Sequence, residues 1–273
     1  MSRTITELGP RQAEFLTTMA GSGRDIFTVQ DASGFWGSDQ HMRNELAQLE
    51  SKGWLERLEK GRYLIIPLEA GVNREWSEDP LKIGTFLASE GAAAYWTALR
   101  HWGWTTQLPR TQLFITPVRR FNRETTVLGV RYRFVIMKRE RIFGIREDWQ
   151  EGFKVRVTDP ERTMLDILDR TDLSGGIGEV SAALQSAWGD LDVVTLLGYI
   201  RRYGSGTVPK RLGYLIEQLR LPAQIGLVDE LRSLIGSGIT QLERGGPKTG
   251  VMTRRWNLQI NAGEATQRSF HDS

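Results

Sequence analysis

Three aspartates could form a metal site in the second half of the chain. Asp166, Asp169 and Asp172 recur every three residues, so two or three carboxylates could share one helix face and bind Mg²⁺. Arg162 and Arg170 alternate with them, and mixed charges at helical spacing are typical of a solvated helix face. We therefore predict that this face is exposed to water and holds no metal.

A glycine run after the aspartates could cradle a phosphate. Residues 174–178 read Ser-Gly-Gly-Ile-Gly, but the Lys and Ser or Thr of a phosphate-binding loop do not follow, and the strand–loop–helix context is missing. We predict a turn between two helices instead.

Other catalytic arrangements lack their residues. The chain has no cysteine, which excludes cysteine nucleophiles and thiolate metal sites. It has three histidines, His41, His101 and His271, too few for a histidine-rich metal site. Neither G-x-S-x-G nor H-E-x-x-H occurs. We predict a protein with no catalytic activity, cofactor or metal, and a nuclease stays as the alternative.

Polar side chains cluster at the start of a helix that the pattern predicts over residues 38–51, with Ser38 as its cap. Apolar residues three or four apart mark the buried face of this helix: Met42, Leu46 and Leu49. Five side chains at its start could then read base edges or hold phosphates: Ser38, Gln40, His41, Arg43 and Asn44.

The elements around that helix have the order of a winged helix-turn-helix. Two shorter helices are expected before it, over residues 10–20 and over residues 28–32 with Thr28 as cap. Residues 54–66 read as a hairpin, which places Lys60 and Arg62 where a wing meets DNA phosphate.

The charge of this region leaves a second interpretation open. Residues 1–66 hold eight basic and nine acidic residues, which weakens nonspecific attraction to DNA. We expect DNA binding, and a winged helix that only docks a protein stays as the alternative.

Basic residues concentrate in the middle of the chain. The whole chain has 36 Lys and Arg residues against 33 Asp and Glu residues, a formal charge of only +3. Residues 110–146, here called the basic segment, hold ten basic and two acidic residues. Residues 147–200 hold four basic and eleven acidic ones. The molecule is therefore polarised rather than neutral, and the basic segment suits a polyanion or an acidic partner.

A sheet in the basic segment is expected to expose these cations. Strands are predicted over residues 112–116, 127–137 and 153–157, and Arg131 and Arg133 alternate with apolar residues in the second. The candidate basic surface consists of Arg119, Arg120, Arg123, Arg131, Arg133, Lys138 and Arg139, with Arg141 beside them. It could contact nucleic acid or protein, and a solvated face without a partner stays as the alternative.

The rest of the chain is predicted to be mostly helical. Expected helices cover residues 80–90, 92–102, 160–169, 178–188, 192–203, 208–219 and 223–234, before a closing strand over 254–260. Tyr95, Trp96, Trp102 and Trp104 could stack on nucleobases, but aromatic residues at helical spacing are expected to lie in the core.

These patterns predict an α+β protein: an N-terminal winged helix-turn-helix, then a larger mixed domain with a small sheet and a C-terminal helical part. We expect a DNA-binding domain over residues 1–70, an acidic linker over 71–79 and a C-terminal domain over 80–273. No apolar segment approaches the roughly 20 residues of a membrane helix, and the start has no signal-peptide core. We therefore expect a cytoplasmic protein that binds no membrane.

Several segments resemble the AbiEi family of antitoxins, which act in abortive-infection (type IV) toxin–antitoxin pairs. The most specific run is TDPERTMLDILDR over residues 158–170, followed by Gly175-Gly176 and Glu179-Val180. Further pieces are KRLGYL over residues 210–215, Trp256-Asn257-Leu258, and LAQLESKGWLERLEKGRYLII over residues 46–66. The resemblance touches most of the chain.

What the resemblance implies is a two-part protein. The N-terminal domain is expected to bind double-stranded DNA at inverted repeats in its own promoter and to repress its operon. The C-terminal domain is expected to counter a nucleotidyltransferase-like toxin, commonly without a stable complex. The basic segment would then hold DNA as a second contact or oppose the toxin's RNA substrate. A stand-alone regulator without an antitoxin role stays as the alternative.

Overall fold

The computed structural model describes residues 7–71, 76–120, 122–150 and 152–262. The chain divides into two compact units, Met1–Asp79 and Pro80–Ser273. The α+β class predicted from the sequence is confirmed. Part of the predicted linker, residues 72–75, lies outside the described residues, as does His271. No described helix has the length and apolar character needed to cross a bilayer.

The N-terminal unit combines two helices with a three-stranded antiparallel sheet. Its elements are α1 (Pro10–Gly21), β1 (Ile26–Thr28), α2 (Asp39–Ser51), β2 (Leu55–Glu59) and β3 (Arg62–Ile65), and the sheet order is β1-β3-β2. Its core contains Phe15, Phe27, Trp36, Leu46 and Leu49. Burial of this aromatic and aliphatic surface holds the helices against the sheet.

The predicted helix over residues 28–32 is wrong. Thr28 ends β1, where it pairs with Arg62 of β3, and the chain then turns through residues 29–36. The capping bonds do form, because the Thr28 backbone N–H donates to the Asp31 carboxylate at 2.8 Å and the Asp31 N–H donates to the Thr28 hydroxyl at 3.2 Å. Burial of Phe27 beside Tyr63 draws the preceding residues into the sheet instead.

A six-stranded sheet lies at the centre of the C-terminal unit. Its strands are β4 (Ala92–Ala93), β5 (Thr111–Thr116), β6 (Glu124–Val127), β7 (Val130–Ile136), β8 (Ile145–Gln150) and β9 (Phe153–Thr158), in the order β6-β7-β5-β4-β9-β8. Helices α3 (Pro80–Ala88) and α4 (Tyr95–His101) pack on it. Gly84 allows α3 to approach, since a Cβ there would lie 2.1 Å from the ring of Phe114.

Three sequence predictions in this sheet need correction. The helix over 92–102 begins only at Tyr95, because Ala92–Ala93 bridge β5 and β9 as a short strand. The strand over 127–137 is a hairpin, since β6 ends at Val127 and the chain turns at residues 128–129. The pattern missed β8, an edge strand with mostly polar residues that lacks a clear apolar alternation.

The predicted helical part is present, with shifted ends. It consists of α5 (Pro160–Asp169), α6 (Gly176–Ala187), α7 (Val193–Tyr203), α8 (Thr207–Gln218) and α9 (Leu227–Ser233). The closing strand shortens to β12 (Leu258–Ile260), which pairs with β10 (Thr240–Gln241) and β11 (Val251–Thr253). As predicted, the glycine run forms a turn that leads into α6.

The aromatic cluster of α4 serves packing, as predicted. Tyr95 is fully buried, and Trp96 and Trp104 pack against the large core of the helical part. The indole N–H of Trp102 donates to the carbonyl oxygen of Thr158 at 2.9 Å. These rings therefore hold α4 against the sheet and α5.

Candidate functional site

The polar start of α2 is exposed. Ser38 caps the helix, and its hydroxyl oxygen accepts a hydrogen bond from the backbone N–H of His41 at 3.3 Å. Gln40 donates to Asn44 at 3.1 Å, one turn further on. All five residues predicted to contact DNA here are exposed: Ser38, Gln40, His41, Arg43 and Asn44.

The availability of these side chains differs. Within the described residues Arg43 makes no hydrogen bond or ion pair, so its guanidinium is ready for an external acceptor. The hydroxyl oxygen of Ser38 is occupied by capping, which leaves its proton to donate. Sequence reasoning omitted Asp39, an exposed carboxylate in the first turn of α2. Its charge opposes phosphate and favours a hydrogen-bond donor on a base.

The hairpin of β2 and β3 presents the two predicted wing cations. Lys60 is exposed in the turn, and Gly61 adopts a φ of +74°, a left-handed conformation that suits glycine. Arg62 lies beside Glu59, with the guanidinium 3.2 Å from the carboxylate. Lys60 is therefore the more available of the two cations.

The basic segment exposes most of its predicted surface. On β7, Tyr132 and Phe134 are buried, whereas Arg131 and Arg133 between them are exposed. Arg133 also lies 3.5 Å from Glu124 on the neighbouring strand. The other exposed members of the set are Arg119, Arg123, Lys138 and Arg139.

Two members of that surface donate side-chain hydrogen bonds to other described residues. Arg120 is half-buried, donates to the Leu87 carbonyl oxygen at 2.6 Å and stacks 3.9 Å over the ring of Phe134. It therefore packs α3 against the sheet rather than extending the open face. Arg139 forms two hydrogen bonds to Glu90, and these bonds lower the pKa of the Glu90 carboxyl.

The Asp-Pro-Glu-Arg-Thr motif begins α5 and binds its surroundings. The carboxylate of Asp159 accepts from the backbone N–H of Arg162 at 2.7 Å and from the Tyr199 hydroxyl at 2.8 Å. Glu161 accepts from the backbone N–H of Asp192, ahead of α7. Thr163 donates to the Thr158 carbonyl oxygen at 2.9 Å. The capped helix start predicted from the sequence is confirmed, and it joins α5 to α7 and β9.

The predicted solvated face of α5 is wrong. Arg162 and Asp166 are fully buried, and the Arg162 Nε lies 2.9 Å from Asp166 Oδ1. Arg162 also donates to the carbonyl oxygens of Arg141 at 2.8 Å and Phe143 at 3.3 Å. These bonds satisfy a buried guanidinium that periodicity alone assigned to water.

The remaining aspartates are engaged with neighbouring side chains. Asp169 accepts from the hydroxyls of Tyr203 at 3.1 Å and Ser205 at 2.9 Å. Asp172 accepts two hydrogen bonds from Arg170, at 2.8 and 2.7 Å. Among the residues that the structure describes, no group of three or more His, Asp or Glu side chains could hold a metal ion.

Two further segments that carried the resemblance, residues 210–215 and 256–258, meet at α8. Arg211 is buried and donates to the carbonyl oxygens of Leu168 and Asp169 at the end of α5. Gly213 lies under the indole of Trp256, where a Cβ would approach the ring to 2.0 Å. The N–H of that indole donates to Glu217 at 2.7 Å. These C-terminal motifs thus pack α5, α8 and the turn before β12 together.

The central part of the chain is similar to a known protein family. Residues 92–218 match the family model of the AbiEi antitoxin C-terminal domain. No curated protein matches the chain. The crystal structure of the RV2827C protein from Mycobacterium tuberculosis covers 98% of this chain and 98% of its own, with a TM-score of 0.67 and 16% sequence identity. At that identity the likeness shows a shared fold alone.

Proposed function

We infer that the chain is an antitoxin, because residues 92–218 match the family model of the AbiEi antitoxin C-terminal domain. The match confirms the family resemblance predicted from the sequence. This domain supports an antitoxin role in a toxin–antitoxin system. We propose that the partner is a nucleotidyltransferase-like toxin, and that the chain counters it without catalysis and without a stable complex.

The N-terminal unit is proposed to bind double-stranded DNA at inverted repeats in the chain's own promoter, and so to repress its operon. The observation that carries this proposal is the exposed polar start of α2 opposite a fully apolar buried face. Such a helix can enter the major groove while the hairpin of β2 and β3 approaches the phosphates.

The basic segment is proposed as a second DNA contact. Residues 1–66 carry eight basic and nine acidic residues, so they supply little long-range attraction to a phosphate backbone. The exposed arginines of β7 and the cations near its ends supply that attraction from the C-terminal unit. In this proposal α2 selects the sequence, and the basic segment adds affinity.

A gel shift on the chain's own upstream region tests the DNA-binding proposal. We expect Arg43→Ala combined with Lys60→Ala to weaken operator binding, because the variant lacks one exposed cation at the start of α2 and one in the hairpin turn. Far-ultraviolet circular dichroism should be unchanged, since both side chains are exposed. The slope of log K against log salt is negative, and removing one cation that neutralises a phosphate should make it shallower by about one unit.

A control variant of equal charge separates local contacts from net charge. Arg201→Ala with Arg232→Ala removes two exposed cations of α7 and α9, outside both proposed DNA surfaces. This control should bind like the wild type. Unchanged binding by the Arg43 and Lys60 variant would contradict the winged-helix assignment, and a 1:1 toxin complex without DNA affinity would favour the docking module.

A further inference from the structure

A cleft of about 580 Å³ opens in the C-terminal unit between the end of β7, the end of α5 and the end of α7. Five of its lining side chains are cationic: Lys138, Arg141, Arg170, Arg202 and Arg244. Two are carboxylates, Glu140 and Asp169. We call this feature the cationic cleft, and its size lies within the usual range for small-molecule sites.

Two cations of the cleft keep their charge available. Arg170 binds Asp172 through two hydrogen bonds, and Lys138 lies 3.8 Å from Glu140. By contrast, neither Arg141 nor Arg202 forms an ion pair with any carboxylate in the described part of the chain. An anion in the cleft would therefore meet two guanidiniums whose charge no carboxylate neutralises.

Aromatic rings fix the positions of these two guanidiniums. Arg202 lies 4.0 Å over the ring of Phe143, and Arg141 lies 4.4 Å over the ring of Tyr203. The buried Arg162 lies 4.4 Å from the Phe143 ring and 5.2 Å from the Tyr203 ring. Stacking orients a guanidinium without cancelling its charge, so the hydrogen-bond donors of Arg141 and Arg202 are held in place before any ligand arrives.

The wall of the cationic cleft also contains an unpartnered polar group. Tyr95 is fully buried, and its hydroxyl has no hydrogen-bond partner among the described residues. Buried polar groups are rarely left unpaired. Tyr95 is the first residue of α4, and its φ of +54° is unusual for a bulky residue. A ligand oxygen near this wall would supply the missing partner.

We propose that the cationic cleft binds a phosphorylated ligand of nucleotide size, with its phosphate held by Arg141 and Arg202 and by the hydroxyl of Tyr95. Guanidiniums suit phosphate because their planar donors match two of its oxygens. Glu140 and Asp169 line the same cleft and would repel a continuous phosphate backbone, which favours a single phosphorylated group. This binding is separate from recognition of promoter DNA by the N-terminal unit.

Isothermal titration calorimetry on the full chain tests the proposal with four probes: inorganic phosphate, AMP, ATP and a 5′-phosphorylated trinucleotide. We expect binding of the nucleotides with a Kd below about 1 mM. Tighter binding of the trinucleotide than of AMP would identify the ligand as the phosphorylated end of a nucleic acid, and the reverse order would identify a free nucleotide. No binding of any probe would overturn the proposal.

Adjacent arginines of α7 provide the matched variants. Arg202→Gln should weaken nucleotide binding at least about tenfold, because the variant cannot form the charge-assisted hydrogen bonds. Arg201→Gln should leave it unchanged, since Arg201 pairs with Glu230 and does not line the cleft. Equal effects of the two changes would contradict the assignment.

Tyr95→Phe removes only the unpartnered hydroxyl and should weaken binding with no loss of thermal stability. Wild-type affinity in this variant would contradict the role of the hydroxyl. The operator gel shift of Arg202→Gln should equal that of the wild type. The ligand proposal and the DNA-binding proposal can therefore fail separately.

Discussion

A buried ion pair within the family motif explains much of how α5 holds its neighbours. Moving the Arg162 guanidinium from water into the core is costly unless its donors are satisfied. Asp166 and the carbonyl oxygens of Arg141 and Phe143 supply those acceptors. Because Arg141 lines the cationic cleft, the same contacts position the wall of that cleft. Arg162 is thus a positioning residue.

The buried carboxyl of Asp166 has a shifted pKa. Burial raises the pKa of this carboxyl to about 6, and the neighbouring Arg162 offsets only part of the rise. One oxygen, Oδ2, has no hydrogen-bond partner among the described residues, which agrees with a penalised charged form. The native state therefore keeps this proton at pH values where the unfolded chain, with a pKa near 3.8, has released it.

Uptake of this proton on folding makes the native state more stable at low pH than at high pH. The contribution of the Asp166 carboxyl to stability is complete below about pH 4 and disappears as the pH rises through about 6. We expect the free energy of unfolding of the wild type, relative to Asp166→Asn, to fall across this window by at most about 1.4 kcal/mol per pH unit. Urea unfolding of both proteins between about pH 4 and pH 7 measures this difference. A difference that grows with pH would contradict the raised pKa.

The helices of the C-terminal unit form where side-chain caps and apolar periodicity agree. Asp159 caps α5, and Asp192 caps α7 by accepting from the backbone N–H of Val194. Behind each cap lies an apolar stripe that packs into one common core. Local capping and nonlocal burial thus favour the same start, which makes these helices well defined.

A glycine pair tests the packing of α8 against Trp256, in the turn before β12. Gly213→Ala would place its Cβ 2.0 Å from the Trp256 ring, and relieving this clash should cost about 1–3 kcal/mol of unfolding free energy. Gly198→Ala on α7 is the control, since no atom beyond its chain neighbours and its own helix backbone lies within 4 Å of its Cβ position. The control should stabilise the protein by about 0.5–1 kcal/mol. Urea unfolding that gives both changes the same sign would contradict this packing.

Sequence patterns predicted the elements that depend on local signals and missed those that depend on distant partners. The helix over residues 38–51 and the capped start of α5 followed from caps and spacing. β4 could not be predicted, because two alanines become a strand only through pairing with β5 and β9. Thr28 had a valid cap, yet the sheet partner Arg62 determined its conformation.

In the candidate sites, too, local signals could be predicted from the sequence and contacts with distant residues could not. Exposure of Arg43 and Lys60 followed from the amphipathic pattern of a helix and the position of a turn. Burial of Arg162 did not, because its acceptors on residues 141 and 143 lie about twenty positions away in the chain. The cationic cleft gathers side chains from residues 95 to 244, and no short motif joins them.

At the scale of the whole molecule, charge is divided unequally along the chain. The formal charge of +3 conceals ten basic and two acidic residues in the basic segment, and four basic and eleven acidic residues in 147–200. The predicted DNA reader lies in the N-terminal unit, which supplies little positive charge. If the chain binds DNA, the salt dependence should arise mainly from the C-terminal unit.

Arg131→Ala with Arg133→Ala tests this division. We expect operator affinity to fall. The negative slope of log K against log salt should become shallower by about 0.9 for each phosphate that the variant no longer neutralises. The ranking of operator sequences should stay the same, because these side chains contribute charge rather than base recognition. Fluorescence anisotropy over a range of salt concentrations measures both quantities. An unchanged slope would contradict the proposed DNA-binding role of the basic segment.

The antitoxin role is tested by the growth of cells that express a nucleotidyltransferase-like toxin of the proposed class together with this chain. We expect the full chain to restore growth, and we expect Arg43→Ala with Lys60→Ala to restore it equally although this variant no longer represses the promoter. Antitoxin action would then belong to the domain formed by residues 92–218. Failure of the wild-type chain to restore growth, at confirmed expression of both proteins, would contradict the antitoxin assignment.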